Sequence, residues 1–384
     1  MFTVYAVARM SRLCDAMYGQ ASRLLFEELY LDIPMKEEFT VTTSRDPRIH
    51  AKSNIQLRNS PLLKLGAALQ GGPFRFMGSR LKAGAPAINI SHLSLSDPLC
   101  YGSGDLLVTS SVNSLASLVN GGSLRSLHLQ GIHSDYCETM LQGTFPQLTA
   151  LYVSAYEHTW TNTIKLSTFE VLLHFLERHR LLLRCLTICN HLPPGLPVGL
   201  QQARILMASL EKIYLRKKEP SQTVTDGHSV HLLCSKILQL PALRTLVIDG
   251  WDQNCPIPAI LDPLKGQLQV FGAHGQYLRD HRGYLSNLEA LEELRIVGYP
   301  SFTLSPDYVP AGLQVTSLQI RGAGGLRSDL VDWMYARPDF LENVRKIKIC
   351  HAKNVPLGFR LKAQAKLVEG RRTGLKIKFS VWED

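Results

Sequence analysis

Residues 121–129 read Gly-Gly-Ser-Leu124-Arg-Ser-Leu127-His-Leu129, and residues 148–153 read Leu148-Thr-Ala-Leu151-Tyr-Val153. Both fit L-x-x-L-x-L with any aliphatic residue allowed, and the spacing returns in Leu243-Arg-Thr-Leu246-Val-Ile248 and Leu291-Glu-Glu-Leu294-Arg-Ile296. The pattern begins at Ile90, Leu124, Leu148, Leu183, Leu210, Leu243, Leu291, Val315 and Val344, at intervals of 24 to 48 residues. Its last two apolar positions alternate with mostly polar ones, the two-residue period of a strand with one buried face. Each interval leaves room for a helix and two turns. A unit this small cannot bury its apolar face alone, so neighbours must stack around a shared core. The expected fold is therefore α/β, an open and irregular solenoid with a parallel sheet on its concave face. An ordinary two-layer α/β domain is the alternative that the uneven spacing favours.

The connecting segments carry helix signals. Ser167-Thr-Phe-Glu170 has capping-box spacing, and Phe169, Leu172, Leu173, Phe175 and Leu176 follow at helical intervals. Residues 105–119 and 330–335 read the same way. The longest interval, Leu243 to Leu291, predicts a worn unit around Leu268-Gln-Val270. The units resemble leucine-rich repeats, which place Asn or Cys three residues after the last apolar position. Here Pro98, Ile132, Tyr156, His191, Lys218, Trp251, Tyr299, Ala323 and Ala352 stand there, so no Asn ladder forms and the repeats are irregular.

No run of 18 apolar residues occurs, so no membrane span is expected. Phe2–Ala8 is too short and lacks the basic start of a secretory signal. Eight cysteines are scattered without paired spacing, which fits reduced thiols in a cytoplasmic or nuclear protein. Residues 345–378 hold eleven basic residues against one acidic, Glu369, which accounts for the whole net charge of +10. Such a terminus can attract nucleic acid or an acidic protein tail. The same lysines also suit the polar outer face that closes a stack, with Leu375, Ile377, Phe379 and Val381 alternating as a last strand. The second reading governs the expectation: a protein partner, no membrane and no nucleic acid.

On a strand whose apolar residues enter the core, the intervening side chains face the opposite side. That face is expected to present His92, His128, Tyr152, Lys212, Tyr214, Arg216, Asp249, Arg295 and Arg321 among others. Tyr and Arg dominate interface energetics because each joins large contact area to directed hydrogen bonds. The candidate protein-binding residues are therefore Tyr152, Tyr214, Arg216 and Arg295, supported by His128 and Lys212. The face grows more basic toward the C-terminus, which points to an acidic or phosphorylated target.

Catalytic motifs are not found. Tyr-Gly-Ser103-Gly lacks the first glycine of a nucleophile elbow, and no Walker loop or strand-linked G-x-G-x-x-G is present. Cys185 and Cys189, four residues apart on an expected strand, would lie ~13 Å apart at ~3.3 Å per residue, too far for one tetrahedral zinc. No enzyme activity, metal or cofactor is expected.

Residues 11–31 read Ser-Arg-Leu-Cys-Asp-Ala-Met-Tyr-Gly-Gln-Ala-Ser-Arg-Leu-Leu-Phe-Glu-Glu-Leu-Tyr-Leu. They resemble the closing helix of the F-box family and its passage into a repeat domain: Ser-x-hydrophobic-Cys-x-x-Trp-x-x-x-Ala, then Leu-Leu-Trp/Phe-x-x-hydrophobic-x-hydrophobic. Ser11, Leu13, Cys14, Ala21, Leu24, Leu25, Phe26, Leu29 and Leu31 match in register, and Met17 stands at the family's aromatic position beside Tyr18. The resemblance implies that Leu13, Cys14, Met17 and Tyr18 face a Skp-type adaptor. It implies a substrate receptor of a Skp–cullin–F-box ubiquitin ligase, of the F-box/leucine-rich-repeat type common in fungi. Residues 1–10 do not match the Leu-Pro-x-Glu segment that opens the family's motif, which implies a shortened gene product or a loss of ligase coupling. The alternatives are a helix that only caps the solenoid and a free-standing repeat scaffold. The expected organisation is an F-box-like helix at 1–33, a polar and partly helical connector at 34–85, and the repeat domain at 86–384.

Overall fold

In the computed structural model, residues 28–32, 39–42, 52–55, 92–96, 124–156, 164–189, 192–193, 196–216, 227–249, 256–298, 313–322, 343–352 and 374–382 are described. They belong to two compact units, Met1–Leu200 with Ile205–Leu210, and Gln201–Arg204 with Glu211–Asp384.

The first unit is built on a mixed sheet. β1 (Glu28–Asp32), β2 (Phe39–Thr42), β3 (Lys52–Ile55), β4 (His92–Ser96), β5 (Ser126–His133), β6 (Ala150–Tyr156) and β7 (Cys185–Ile188) lie in the order β7-β6-β5-β4-β1-β2-β3. β1 and β4 to β7 run parallel, and β2 and β3 turn back antiparallel. β1 corrects the reading of 1–33 as helical throughout. Glu28-Leu-Tyr-Leu-Asp32 alternates with a period of two, and that lets Leu29 and Leu31 pair with Leu93 and Leu95 of β4. The connector likewise contributes two strands. The helices expected at 105–119 and 330–335 lie outside the described residues, as do Leu13, Cys14, Met17 and Tyr18.

Two helices follow strands here, α1 (Ser134–Leu141) after β5 and α2 (Leu166–Arg178) after β6; a two-residue strand, β8 (Ile205–Leu206), comes later. The capping box at Ser167 does not form. The helix starts at Leu166 with Lys165 as its N-cap and no side-chain cap. Instead Ser167 and Thr168 both donate to Glu138 of α1, at 2.8 and 2.6 Å. At the other end the Arg178 guanidinium donates to the Leu141 carbonyl at the end of α1. Both ends of α2 are thus tied to α1, one of them through the Ser167 hydroxyl that local spacing assigns to capping.

The second unit carries a parallel sheet of β9 (Lys212–Arg216), β11 (Thr245–Asp249), β12 (Val270–His274), β13 (Glu293–Gly298), β14 (Ser317–Gly322), β15 (Lys346–Ala352) and β16 (Lys376–Trp382), in that order. β10 (Leu238–Gln239) is a two-residue strand beside it in sequence. α3 (Gly227–His231) runs on into a π-helical turn at Leu232–Ile237, and α4 (Ile257–Leu261), α5 (Gly275–Asp280) and α6 (Arg282–Leu285) follow; a short helix at Val198–Gln201 and a 3-10 turn at Asp262–Leu264 are also present. The segment expected as a worn unit does hold a strand: β12 sits between β11 and β13. His281 alone joins α5 to α6.

The pattern residues form the core. From Leu124 to Val344 all eight described first positions are buried, and so are the strand pairs Leu127/Leu129, Leu151/Val153, Ile213/Leu215, Leu246/Ile248, Leu294/Ile296 and Ile347/Ile349. Each fully buried aliphatic side chain contributes about 1.5–3 kcal/mol. A second regularity follows the same positions. The carbonyl of the residue after most first positions accepts two backbone N–H groups from the next strand's entry. Arg125 accepts from Thr149 and Ala150, Arg244 from Gln269 and Val270, Gln269 from Glu292 and Glu293, and Glu292 from Thr316 and Ser317. This shared acceptor sets each strand's register on its neighbour.

Candidate functional site

With the leucines turned inward, strand register aligns the remaining side chains into rows on the other face. In the first unit one row runs His128, Tyr152, Thr187, and the next His92, Ser126, Ala150, Cys185. His92 meets His128 edge-on with ring centroids 4.5 Å apart, and His128 stacks on Tyr152 at 5.4 Å and 24°. His128 and Tyr152, both expected on this face, are therefore brought together, with His92 as a third ring. Burial, and then the neighbouring His92, push the His128 imidazole down to about 4. Burial also lowers His92. Both imidazoles are therefore uncharged at neutral pH, when each carries one donor and one acceptor nitrogen. In an NMR titration of the folded protein, His128 is expected to show its midpoint near pH 4; a midpoint at the ordinary histidine value would mean that its ring is solvated.

In the second unit the middle row runs Tyr214, Val247, Gly272, Arg295, Gln319, Lys348, Lys378. Tyr214 and Arg295 stand three strands apart, yet the Arg295 guanidinium carbon is 6.0 Å from the Tyr214 ring centroid and that of Arg216 is 5.5 Å away. Gly272 makes this possible. A Cβ there would come within 2.9 Å of the Arg295 Cβ and 3.1 Å of both Val247 methyl carbons, none of which can swing aside. The missing side chain is thus what lets Arg295 lie across β12 toward Tyr214. Gly272→Val is expected to lift Arg295 off Tyr214 and to cost about 1–3 kcal/mol by overpacking, read in chemical denaturation. Unchanged stability would mean the strands can part freely here.

Arg295 is held from below by Glu293, Nε to Oε1 at 2.6 Å. Burial disfavours its charge, but the hydrogen bond and charge of Glu293, helped by Tyr214, prevail and raise the guanidinium's pKa above its usual value. In the third row Arg321 reaches Asp249, also three strands away, at 3.4 Å, with both side chains largely buried. Arg216 stands opposite Asp249 in register. The expected trio Tyr214, Arg216 and Arg295 therefore forms one cluster. Lys212 lies exposed one row away and makes no ion pair among the described residues.

The face is not solvated throughout, as alternation alone predicts. Thr187, Thr245, Val247, Asp249, Val297 and Cys350 are buried. Long side chains lie flat across shorter neighbours ~4.8 Å away on adjacent strands, and Tyr214, Arg295 and Arg321 do this in the second unit. The Asp249–Arg321 pair and the role of Gly272 were not singled out by sequence reasoning. A glycine in mid-strand, Phe271-Gly272-Ala273, is the signal that marks such close approach.

Among the described residues no three of His, Cys, Asp or Glu stand together to hold a metal, and no helix is long and apolar enough to cross a membrane. Among the described residues, Cys137, Cys185, Cys189, Cys234 and Cys350 form no disulfide. Comparison with protein-family models and with curated proteins finds no match to this chain.

Proposed function

We propose that this chain is a protein-binding receptor of irregular leucine-rich-repeat type, and the substrate-recognition subunit of a Skp–cullin–F-box ubiquitin ligase in the cytoplasm or nucleus. The observation that carries the receptor reading is the cluster of Tyr214 and Arg216 from β9 with Arg295 from β13, fixed against one another on the face opposite the core. Residues of these types held in place before binding lose little entropy on contact, which is how interface anchors reach high affinity. The shared-acceptor hydrogen bonds at successive pattern positions support the solenoid reading. The ligase reading rests on the resemblance in residues 11–31. Its mechanism is proximity: the face holds an acidic or phosphorylated target while the adaptor side brings the ubiquitin-loaded enzyme, and no catalytic residue is required of this chain.

Co-purification with a Skp-type adaptor tests the ligase half. The control is a chain lacking residues 1–27, a cut that spares β1 and its pairing with β4. Adaptor bound by the full chain and lost from the shortened one is the expected result. Adaptor retained by the shortened chain, or bound by neither, overturns the ligase reading and leaves a free-standing interaction scaffold.

A further inference from the structure

The last two strands of the second unit carry a feature that the Tyr214 cluster does not use. β15 and β16 pair with Lys346 opposite Lys376 and Lys348 opposite Lys378. Ile347, Ile349 and Ile377, which alternate with them, are buried in the core, so all four lysines share the outer face. Lys346, Lys376 and Lys378 are exposed and Lys348 is half-buried. Like charges directly opposite one another on neighbouring strands are destabilising, and here that happens twice in succession.

Among the described residues nothing neutralises the arrangement. None of the four makes an ion pair among the described residues. The adjoining strand β14 places uncharged Ser317 and Gln319 in the same two rows, and the next carboxylate, Glu293 on β13, is already engaged by Arg295. Protection of an exposed edge explains lysines on β16. It does not explain those on β15, which is paired on both sides.

We propose that the Lys346–Lys348–Lys376–Lys378 square docks an extended acidic segment of a partner protein, with Asp, Glu or phosphoserine at every second position. The geometry selects that form. Along each strand the lysines repeat at ~6.6 Å, and an extended peptide presents alternate side chains at the same ~6.6 Å. Two successive anionic side chains on one face of such a peptide each sit between a facing pair of lysines. The inference rests on the receptor reading above and names the chemistry of its target.

Fluorescence anisotropy on the full chain tests it. The probes are a labelled dodecapeptide with Glu at every second position, its phosphoserine counterpart, a peptide of the same composition with Glu at every fourth position, and a dodecathymidylate. At least one alternating peptide is expected to bind tenfold or more tightly than the rearranged one, weakening as salt rises. Whether Glu or phosphoserine binds better identifies the source of the charge. The variant K346Q/K348Q/K376Q/K378Q is expected to lose tenfold or more of that affinity while melting no lower than the parent, since it removes only like-charge contacts. Equal affinity for the rearranged peptide, tighter binding of the oligonucleotide, or full affinity in the variant overturns the inference. A random dodecapeptide display library separates its failure from that of the receptor reading. Selected binders without alternating acids that are lost on Tyr214→Ala sink the lysine square and keep the receptor. A library yielding no binder counts against both.

Discussion

Replacing His179 by alanine is expected to destabilise the first unit by about 3–5 kcal/mol, read as a lowered midpoint in chemical denaturation at pH 7.5. The residue caps the C-terminal end of α2 and is 1% exposed. Its Nε2 accepts the backbone N–H of Phe145 at 3.0 Å, and its Nδ1 donates to the Phe175 carbonyl at 2.8 Å. Those two bonds leave one tautomer, with the proton on Nδ1. The ring also stacks on Phe175 at 4.1 Å and against Phe145 at 6.1 Å. Alanine therefore opens an aromatic-sized cavity and strands a buried amide, which alone costs about 1–3 kcal/mol. His179→Phe separates the two effects. It keeps the ring and loses only the hydrogen bonds, so a loss of about 1–3 kcal/mol is expected. Equal losses from both variants would show that the stacking contributes nothing.

The same geometry sets a pH dependence. Burial, with the Arg178 charge beside it, lowers the His179 pKa, although the Phe175 carbonyl pulls the other way. Protonation would place a hydrogen on Nε2, facing the amide that donates to it. Because the folded-state pKa lies below the ordinary value of 6.5, the unfolded chain takes up the proton first. The stabilisation is therefore complete above about pH 6.5 and is lost as pH falls from there toward the folded pKa. His128 adds a loss of the same sign between 6.5 and about 4. Thermal midpoints at pH 7.5, 6 and 5 should fall more steeply in the parent than in His179→Phe. Parallel slopes would mean that His179 titrates freely when folded.

What the sequence makes legible follows the range over which each force acts. Alternation along a strand is local, and it identified Leu127, Leu151, Leu246, Leu294 and the worn strand β12 because burial of those side chains depends only on a period of two. The Ser167 capping box failed because Glu138, 30 residues upstream for Thr168, offers the hydroxyls a carboxylate that no local spacing reveals. For β1 the alternation was present in Glu28–Asp32, but the F-box resemblance directed the reading toward a helix. On the outer face, Tyr214, Arg216 and Arg295 were identifiable as residue types at outward positions. That they meet depends on Gly272 three units of sequence pattern into the second unit, and on side chains long enough to cross two intervening strands. Arg321 and Asp249 are 72 residues apart, and neither marks the other in sequence.

That last pair carries a large expected effect. Asp249→Ala should cost about 3 kcal/mol, since removing one member of a buried ion pair leaves the other charge uncompensated. The lower end of the range for buried pairs applies because the contact is 3.4 Å and the side chains keep 9% and 12% exposure. Asp249 also faces Arg216 in register, so its loss leaves two guanidiniums without the carboxylate between them. Replacing both partners, Asp249→Leu with Arg321→Met, is expected to stay within about 1 kcal/mol of the parent, because apolar groups of similar volume remove the desolvation cost along with the attraction. The two variants together decide what the pair is for. If the single change is costly and the double change is not, the pair adds little net stability, and its consequence is to hold Arg321 and Arg216 in one arrangement on the binding face. The double variant should then fold normally and bind the receptor's target less tightly. A single variant that loses under 1 kcal/mol would instead place both groups in water, and the third row of the face would have no fixed arginine to present.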